Sequence, residues 1–311
     1  MQPARRGSRT IRIPDRLRPG RAPTLPPSAA LPLDTAMTYP PAIVDPAARP
    51  AARPAAQPAP RPDGDCPPVE VILPALDEEA AIGGVLAALP RDWFRRAIVV
   101  DNGSTDGTAA VAAAAGAHVV HEPRRGYGSA CLAGLAALHA DTEVIVFLDA
   151  DGSDAPDRLP GLVAPILAGE ADLVIGSRVT AHGQRGALTL PQRTGNAIAT
   201  AWLRGRFGLP ATDLGPFRAI RRSSLKSLHM SDPDWGWTVE MQIKAARAGL
   251  RYREVTVPCF RRIGRSKISG TVRGVLGAAF KILGLLAWHD FVRPGSRRRS
   301  APPVTANTPR E

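Results

Sequence analysis

The sequence predicts an α/β fold, a mostly parallel sheet flanked by helices, between disordered N- and C-terminal tails. Short apolar runs rich in Val and Ile alternate with helical stretches from residue 69 onward. Several of these runs end in acids or Gly-Ser turns, and ligands in open α/β sheets bind outside the carboxyl ends of the strands. Residues 1–66 are dominated by Pro, Ala and Arg without an apolar period, and residues 292–311 read the same way. Such segments bury too little apolar surface to offset the entropy of ordering. The expected organisation is a tail over 1–66, one α/β domain over 67–270, an apolar helix over 271–291 and a basic tail over 292–311.

The elements follow in order. Residues 69–74 form a first strand. A helix over 77–89 places Ile82, Val85, Leu86 and Leu89 at helical spacing, with Asp77, Glu78 and Glu79 in its first turn, where the helix dipole favours acids. A strand over 97–100 runs into Asp101-Asn102-Gly103-Ser104, and Thr105 or Asp106 caps an Ala-rich helix ending at 115. A third strand over 117–121 and a helix over 127–139 come next. Residues 144–148 are a β-branched run of buried-strand length that leads into Asp149-Ala150-Asp151-Gly152-Ser153-Asp154. A helix over 156–168 and a strand over 172–176 complete the regular half. The second half is less regular, with helices over 196–206 and 238–248 and strands over 217–220 and 252–257. Residues 270–289 read as helical, and there is no internal repeat.

The net charge of +12 suggests an anionic partner, but its location argues against nucleic acid. Residues 1–66 contribute +5 and residues 291–311 contribute +4, which leaves +3 for the whole middle of the chain. The basic excess therefore sits in the tails, where it favours anionic surfaces weakly, and no nucleic-acid motif accompanies it. Cys66, Cys131 and Cys259 lie far apart, so neither a disulfide framework nor a zinc site is indicated, and a reducing, cytoplasmic setting is expected. Arg5-Arg6 is not followed by an apolar segment, which argues against a secretory or twin-arginine signal. Met37 offers an alternative start that would exclude the structureless segment before it.

Strand ends on one edge of a parallel sheet converge. Pro74-Ala75-Leu76-Asp77-Glu78-Glu79, Asp101-Asn102-Gly103-Ser104 and Asp149-Ala150-Asp151 would then share a pocket. Paired acids need a counter-charge, and a hard divalent cation with a bound diphosphate supplies one. Taken alone, Asp149-Ala150-Asp151 reads equally well as a solvated turn, and Glu79 and Asp101 read equally well as capping and turn residues. Arg124-Arg125-Gly126-Tyr127-Gly128 precedes a helix and suits phosphate, although Cys131 stands where a dinucleotide fingerprint needs its third glycine. Arg178 follows a strand in Gly176-Ser177-Arg178, and Asp213 stands in Asp213-Leu214-Gly215-Pro216-Phe217-Arg218. Arg262-Ile263-Gly264-Arg265-Ser266-Lys267 is a cluster of donors or, alternatively, an exposed basic loop. Acids for a metal together with cations for phosphate point to a metal-bound nucleotide diphosphate.

The 124–128 segment aside, the other six motifs, in this order, resemble the family 2 glycosyltransferases of GT-A fold, and most of all the dolichyl- or polyprenyl-phosphate mannose or glucose synthases. The resemblance covers roughly residues 68–270. It implies a nucleoside pocket lined by Pro74, Ala75, Glu79 and Asp101. It also implies that Asp149 and Asp151 face Mg²⁺ or Mn²⁺ and the donor diphosphate, and that Arg178 lies near the sugar or acceptor phosphate. Arg262 and Lys267 would close over the phosphates. Gly152-Ser153 stands where the synthases often have Leu-Gln, which leaves Ser153 as the third candidate ligand. Asn102 replaces the second acid of the usual Asp-Asp-Gly-Ser.

The expected reaction is an inverting displacement at the anomeric carbon, with sugar moving from a UDP- or GDP-linked donor to a polyprenyl phosphate. A phosphate acceptor is already anionic. A hydroxyl acceptor, soluble or on another lipid, would need a base, for which Asp213 and Glu240 are the candidates, each with a structural alternative. Residues 275–288 are apolar but short for a membrane span, and Lys281 interrupts them. They read either as an interfacial helix at the inner face of a membrane or as a core helix. Two other classes remain in view. A nucleotidyltransferase would want a basic Gly-rich loop after the first strand, where this chain is acidic. A non-catalytic sugar-nucleotide-binding protein would not need the acids and cations intact.

Overall fold

The computed structural model describes residues 67–179, 188–264 and 284. Lys267, both predicted tails and, apart from Gly284, the predicted 271–291 helix lie outside the described residues.

Seven strands form one sheet in the order β3-β2-β1-β4-β6-β5-β7. They are β1 (Val69–Ala75), β2 (Arg96–Asp101), β3 (His118–His121), β4 (Val144–Phe147), β5 (Leu173–Ser177), β6 (Arg218–Arg221) and β7 (Tyr252–Thr256). Strands β3, β2, β1 and β4 run parallel, as do β5 and β7, and β6 is antiparallel to both of its neighbours. All seven correspond to runs read in the sequence. β1 and β4 are apolar almost throughout because helices cover both faces of the sheet.

The helices are α1 (Glu79–Ala87), α2 (Thr108–Ala114), α3 (Tyr127–Ala136), α4 (Leu159–Leu167), α5 (Leu190–Phe207), α6 (Arg222–Leu228) and α7 (Trp237–Ala248). One face of the sheet packs Val71, Val99 and Val146 against Ile82 and Leu86 of α1 and Leu162 and Ile166 of α4. The other packs Ile72, Ile98 and Phe147 against Cys131 of α3, Leu225 of α6 and Trp237 and Met241 of α7. Phe147 and Trp237 meet edge-on with centroids 6.0 Å apart, an arrangement that aromatic quadrupoles favour. A smaller cluster joins Ala199 and Leu203 of α5 to Val239 and Ile243 of α7.

Three helical segments depart from expectation. α5 begins at Leu190, six residues before the predicted start, because Thr189 and Gln192 form a capping box and Pro191 suits the first turn. The seven-residue α6 directly follows β6 and is too short and Ser-rich to show a period. The predicted helix over 156–168 is a 3-10 turn (Pro156–Arg158) leading into α4.

Candidate active site

The carboxyl ends of β1, β2, β4 and β5 open onto one cleft of about 720 Å³. Pro74, Ala75, Asp149, Asp151, Ser153, Arg178 and Arg262 all line it. The parallel register produces this convergence. Ala75 at the end of β1 pairs with Asp101 at the end of β2, and the Leu148 N–H donates to Ile72 O, so the chain reaches Asp149 beside the same edge.

The loops that line the cleft are knitted to one another. The Asp77 carboxylate accepts from the Thr105 N–H at 2.7 Å, and the Asp77 N–H donates to Ser104 Oγ at 3.0 Å. These bonds hold Asp77 at φ 49°, a left-handed backbone that an Asp tolerates. Asn102 binds the next loop, donating to the carbonyls of Glu122 and Arg124 at 3.0 and 2.8 Å and accepting from the Gly126 N–H at 2.8 Å. An amide can donate and accept at once, which an Asp at this position could not do.

Two nucleoside-side assignments shift. Glu79 does not line the cleft: it is exposed, and its carboxylate accepts from the Gly107 N–H at 3.0 Å, tying α1 to the loop before α2. Glu78, one residue earlier, lines the cleft instead. Both acids stand in one helical first turn, so sequence spacing gave no ground for choosing between them. Asp101 is buried at the floor of its loop, where it accepts from the Ser104 N–H at 2.9 Å and lies 3.1 Å from His121 Nδ1. Burial would raise its carboxyl, but the Ser104 hydrogen bonds and His121 together hold it below the usual range.

The acidic edge is compact. Asp151 Oδ1 accepts from the Ser153 N–H at 2.8 Å, and the Asp151 carbonyl accepts from the Ile263 N–H at 2.9 Å. Arg262 Nη2 lies 2.7 Å from Asp151 Oδ2 and 3.0 Å from Glu78 Oε1, so the 258–264 loop brings a cation onto two acids from separate strand ends. Asp149 Oδ1 is buried without a hydrogen-bond partner. Burial pushes the Asp149 carboxyl up to about 7, and the charge on Asp151 adds to the shift. Asp154 lies behind it, and burial followed by the Asp149 charge raises its carboxyl well above the ordinary value.

Asp213 and Glu240, the two candidate bases, have other tasks. Asp213 is fully buried and grips Arg178 at two points, Nε to Oδ2 and Nη2 to Oδ1, each 2.9 Å, while the Arg178 N–H donates to Oδ2 at 2.8 Å. Burial opposes the Arg178 charge, and Asp213 more than offsets it. Arg218, five residues beyond Asp213, donates to the carbonyls of Leu214, Gly215 and Thr238. Glu240 accepts from the Ser231 and Asp232 N–H groups and pairs with Lys244 at 2.7 Å. Neither carboxylate lines the cleft. Their partners lie up to 35 residues away in sequence, beyond any local pattern.

More of the wall comes from the 124–128 segment, read in the sequence as suited to phosphate, and from a loop that the sequence did not single out. Arg125 and Tyr127 border the cleft at the start of α3, and Asp234 and Trp235 border it from the loop between α6 and α7. The Tyr127 hydroxyl is buried without a hydrogen-bond partner, and burial together with the Asp149 charge raises its pKa well above the ordinary value.

The sequence profile of Glycosyl transferase family 2 matches residues 70–228. The chain belongs to this family. It is 45% identical over 207 residues to an uncharacterized glycosyltransferase of Mycobacterium tuberculosis, covering 66% of this chain and 92% of the relative. It is 34% identical over 194 residues to the undecaprenyl-phosphate mannosyltransferase of Micrococcus luteus, covering 58% of this chain and 78% of that protein. Among solved structures it is similar to glucosyl-3-phosphoglycerate synthase from Mycobacterium tuberculosis in complex with Mn²⁺, UDP and glucosyl-3-phosphoglycerate. There the identity is 28% and the TM-score 0.57, over 71% of this chain and 79% of that one. The sheet is that of the GT-A glycosyltransferases, and the chain is a glycosyltransferase. The nucleotidyltransferase and non-catalytic readings of the sequence give way to this one.

Proposed function

We propose that this family 2 glycosyltransferase moves a sugar from a UDP- or GDP-linked donor to a polyprenyl phosphate, with inversion at the anomeric carbon. One observation carries the reading: Asp149, Asp151, Arg178 and Arg262 line a single cleft at the carboxyl edge of the sheet. Acids and cations interleaved in this way suit a diphosphate bound through a cation.

The residues fit Mg²⁺ or Mn²⁺. Asp149 presents a buried carboxylate oxygen with no hydrogen-bond partner, and Asp151 lines the cleft. Among the described residues no group of three or more His, Cys, Asp or Glu side chains forms a self-sufficient cation cage. That suits an ion such as Mg²⁺, which is bound by one or two carboxylates and completed by phosphate oxygens and water. Asp151 and Asp149 would hold it, with Ser153 at hand. When bound, it neutralises the charge that builds on the leaving nucleoside diphosphate.

The protein groups divide the remaining work. Pro74, Ala75, Glu78 and Asn102 line the nucleoside side. Arg178, kept charged and oriented by Asp213, binds phosphate oxygens of the donor or acceptor. Arg262, with Lys267 beyond it in sequence, exchanges its contacts to Glu78 and Asp151 for contacts to the diphosphate. Asp213 and Glu240 are engaged elsewhere, which favours an acceptor that needs no deprotonation, and a phosphate is one.

Exposed apolar side chains next in sequence to cleft residues are in keeping with a lipid acceptor. Val179, Leu190 and Ile263 are 54%, 75% and 48% exposed, and each adjoins in sequence a residue that lines the cleft. The mannosyltransferase of Micrococcus luteus is named for such an acceptor. No helix among the described residues is long and apolar enough to cross a membrane. The membrane contact we propose is peripheral, at the cytoplasmic face. A second reading, a small soluble phosphorylated acceptor, follows from the likeness to glucosyl-3-phosphoglycerate synthase.

A panel of radiolabelled sugar nucleotides incubated with the enzyme and membranes, followed by lipid extraction, separates the two. Label in the organic phase is expected. Label only in a water-soluble phosphorylated product overturns the lipid acceptor. Calorimetric titration with UDP and GDP, with and without Mn²⁺, tests the donor reading, and absence of metal-dependent binding to either overturns it.

A further inference from the structure

The loop between α6 and α7 is built with more precision than a connection needs. Gly126 and Gly128 at the start of α3 lie directly under it. A Cβ on Gly126 would stand 2.3 Å from the Pro233 carbonyl oxygen, and one on Gly128 would stand 1.9 Å from the Asp232 carbonyl oxygen. No side chain fits at either position, so the two backbones are in direct contact. The Ser129 N–H and hydroxyl both donate to the Pro233 carbonyl, at 2.8 and 3.2 Å.

Glu240 pins the other end of the loop. Its carboxylate accepts from the Ser231 N–H at 3.1 Å, the Ser231 hydroxyl at 2.9 Å and the Asp232 N–H at 2.9 Å, and it is neutralised by Lys244. Those bonds and the Lys244 pair outweigh burial and keep the Glu240 carboxyl below its ordinary value. The loop closes with the Trp237 N–H donating to the Asp234 carbonyl at 3.4 Å. The residues it delivers to the cleft are Asp234 and Trp235.

We propose that Trp235 is the sugar-binding platform of the cleft, with Asp234 beside it, and that Glu240 is the positioning residue that fixes their loop. This rests on the donor reading above. Pro74, Ala75 and Asn102 take the nucleoside, and Asp149, Asp151, Arg178 and Arg262 take the diphosphate. The wall that remains is the start of α3, the start of α5 with Thr189 and Gln192, the segment of Cys259 and Arg261, and this loop, which alone supplies an indole among the described residues. Trp235 is the only tryptophan lining the cleft among the described residues. A hexose has an apolar face of C–H bonds and a polar rim of hydroxyls. An indole face covers the first, and a carboxylate accepts from the second. A rigid loop suits this task, because a platform ordered before binding loses little entropy on binding.

The test compares the nucleotide with the nucleotide sugar on the full-length protein in Mn²⁺, using UDP with UDP-glucose and GDP with GDP-mannose. In W235A the affinity for the preferred nucleoside diphosphate is expected to stay within about twofold of wild type. The affinity for its sugar nucleotide is expected to fall by about tenfold, the scale of one lost aromatic contact. W235F keeps an aromatic face and is expected to restore most of the loss, which separates stacking from misfolding. E240Q is expected to reproduce the sugar-selective loss in milder form. Equal weakening of both ligands in W235A places the indole on the base and overturns the proposal. Unchanged binding of both in W235A also overturns it, while leaving the donor reading intact. Failure of the wild-type protein to bind either nucleotide overturns the donor reading and the proposal together.

Discussion

Arg178 and Asp213 form a two-point ion pair in the interior, with Nε and Nη2 each 2.9 Å from a carboxylate oxygen of a residue that is itself 0% exposed. A guanidinium held in this way has one orientation and no other option for its charge. The pair gives Asp213, one of the two candidate bases, its structural alternative: it holds Arg178, the cation proposed to bind phosphate.

Asp213→Ala leaves the Arg178 charge buried without its partner. A loss of about 3–5 kcal/mol of stability is expected, the usual scale for breaking a buried pair from one side. Urea unfolding measures it. Asp213→Asn is expected to lower turnover while the pH–rate profile keeps its wild-type shape. Disappearance of an acidic limb from that profile in the variant would restore Asp213 as a base.

Asp151→Ala is expected to abolish transfer and Mn²⁺-dependent nucleotide binding while circular dichroism stays that of the folded protein. Its side chain meets Arg262 and the Ser153 N–H at the cleft edge rather than packing in the core. Retained turnover would refute the metal assignment.

Gly128→Ala is expected to destabilise by about 1–3 kcal/mol, the usual range for overpacking. The added methyl would have to displace the Asp232 carbonyl. Gly84→Ala is the control, since a Cβ there meets nothing within 4 Å and removes a helix-interior glycine. Thermal melts of the two variants should move in opposite directions.

Glu70 predicts the acid limb of stability. It is 1% exposed in β1 and accepts from Thr142 Oγ1 at 2.6 Å, the His139 N–H at 2.8 Å and Arg96 Nε at 2.6 Å. Burial would raise its carboxyl, but these partners outweigh burial and hold it below the ordinary value. A carboxyl depressed by folding stabilises fully above its unfolded pKa, about 4.3, and that contribution is lost as pH falls through the lower folded value. Glu70→Gln should therefore be less stable than wild type at neutral pH, with the gap closing as pH falls below the unfolded value and through the lower folded one. Unfolding free energies measured across this range decide it, and a gap independent of pH would contradict the assignment.

The strands were legible because parallel strands covered on both faces are apolar almost throughout, and β1, despite Glu70, and β4 announce themselves on that ground. The acids at their ends were legible because charge after such a run marks the edge of the sheet. Pro74, Ala75, Asp149, Asp151 and Arg178 stand at strand ends in this way, Ser153 and the role of Arg262 came from the family resemblance, and the cleft gathers all of them.

What the sequence determined, then, is the sheet, its edge and the chemistry gathered there, since each depends on periodicity and on where a strand stops. Tertiary structure alone decided partners. It turned Glu78 rather than Glu79 toward the cleft, bound Asp213 to Arg178, committed Glu240 to the 231–236 loop and carried Trp235 to the wall. The physical reason is distance along the chain. A charge takes the nearest opposite charge or donor in space, and the carbonyl over Gly128 comes from residue 232, a neighbour that no local pattern encodes.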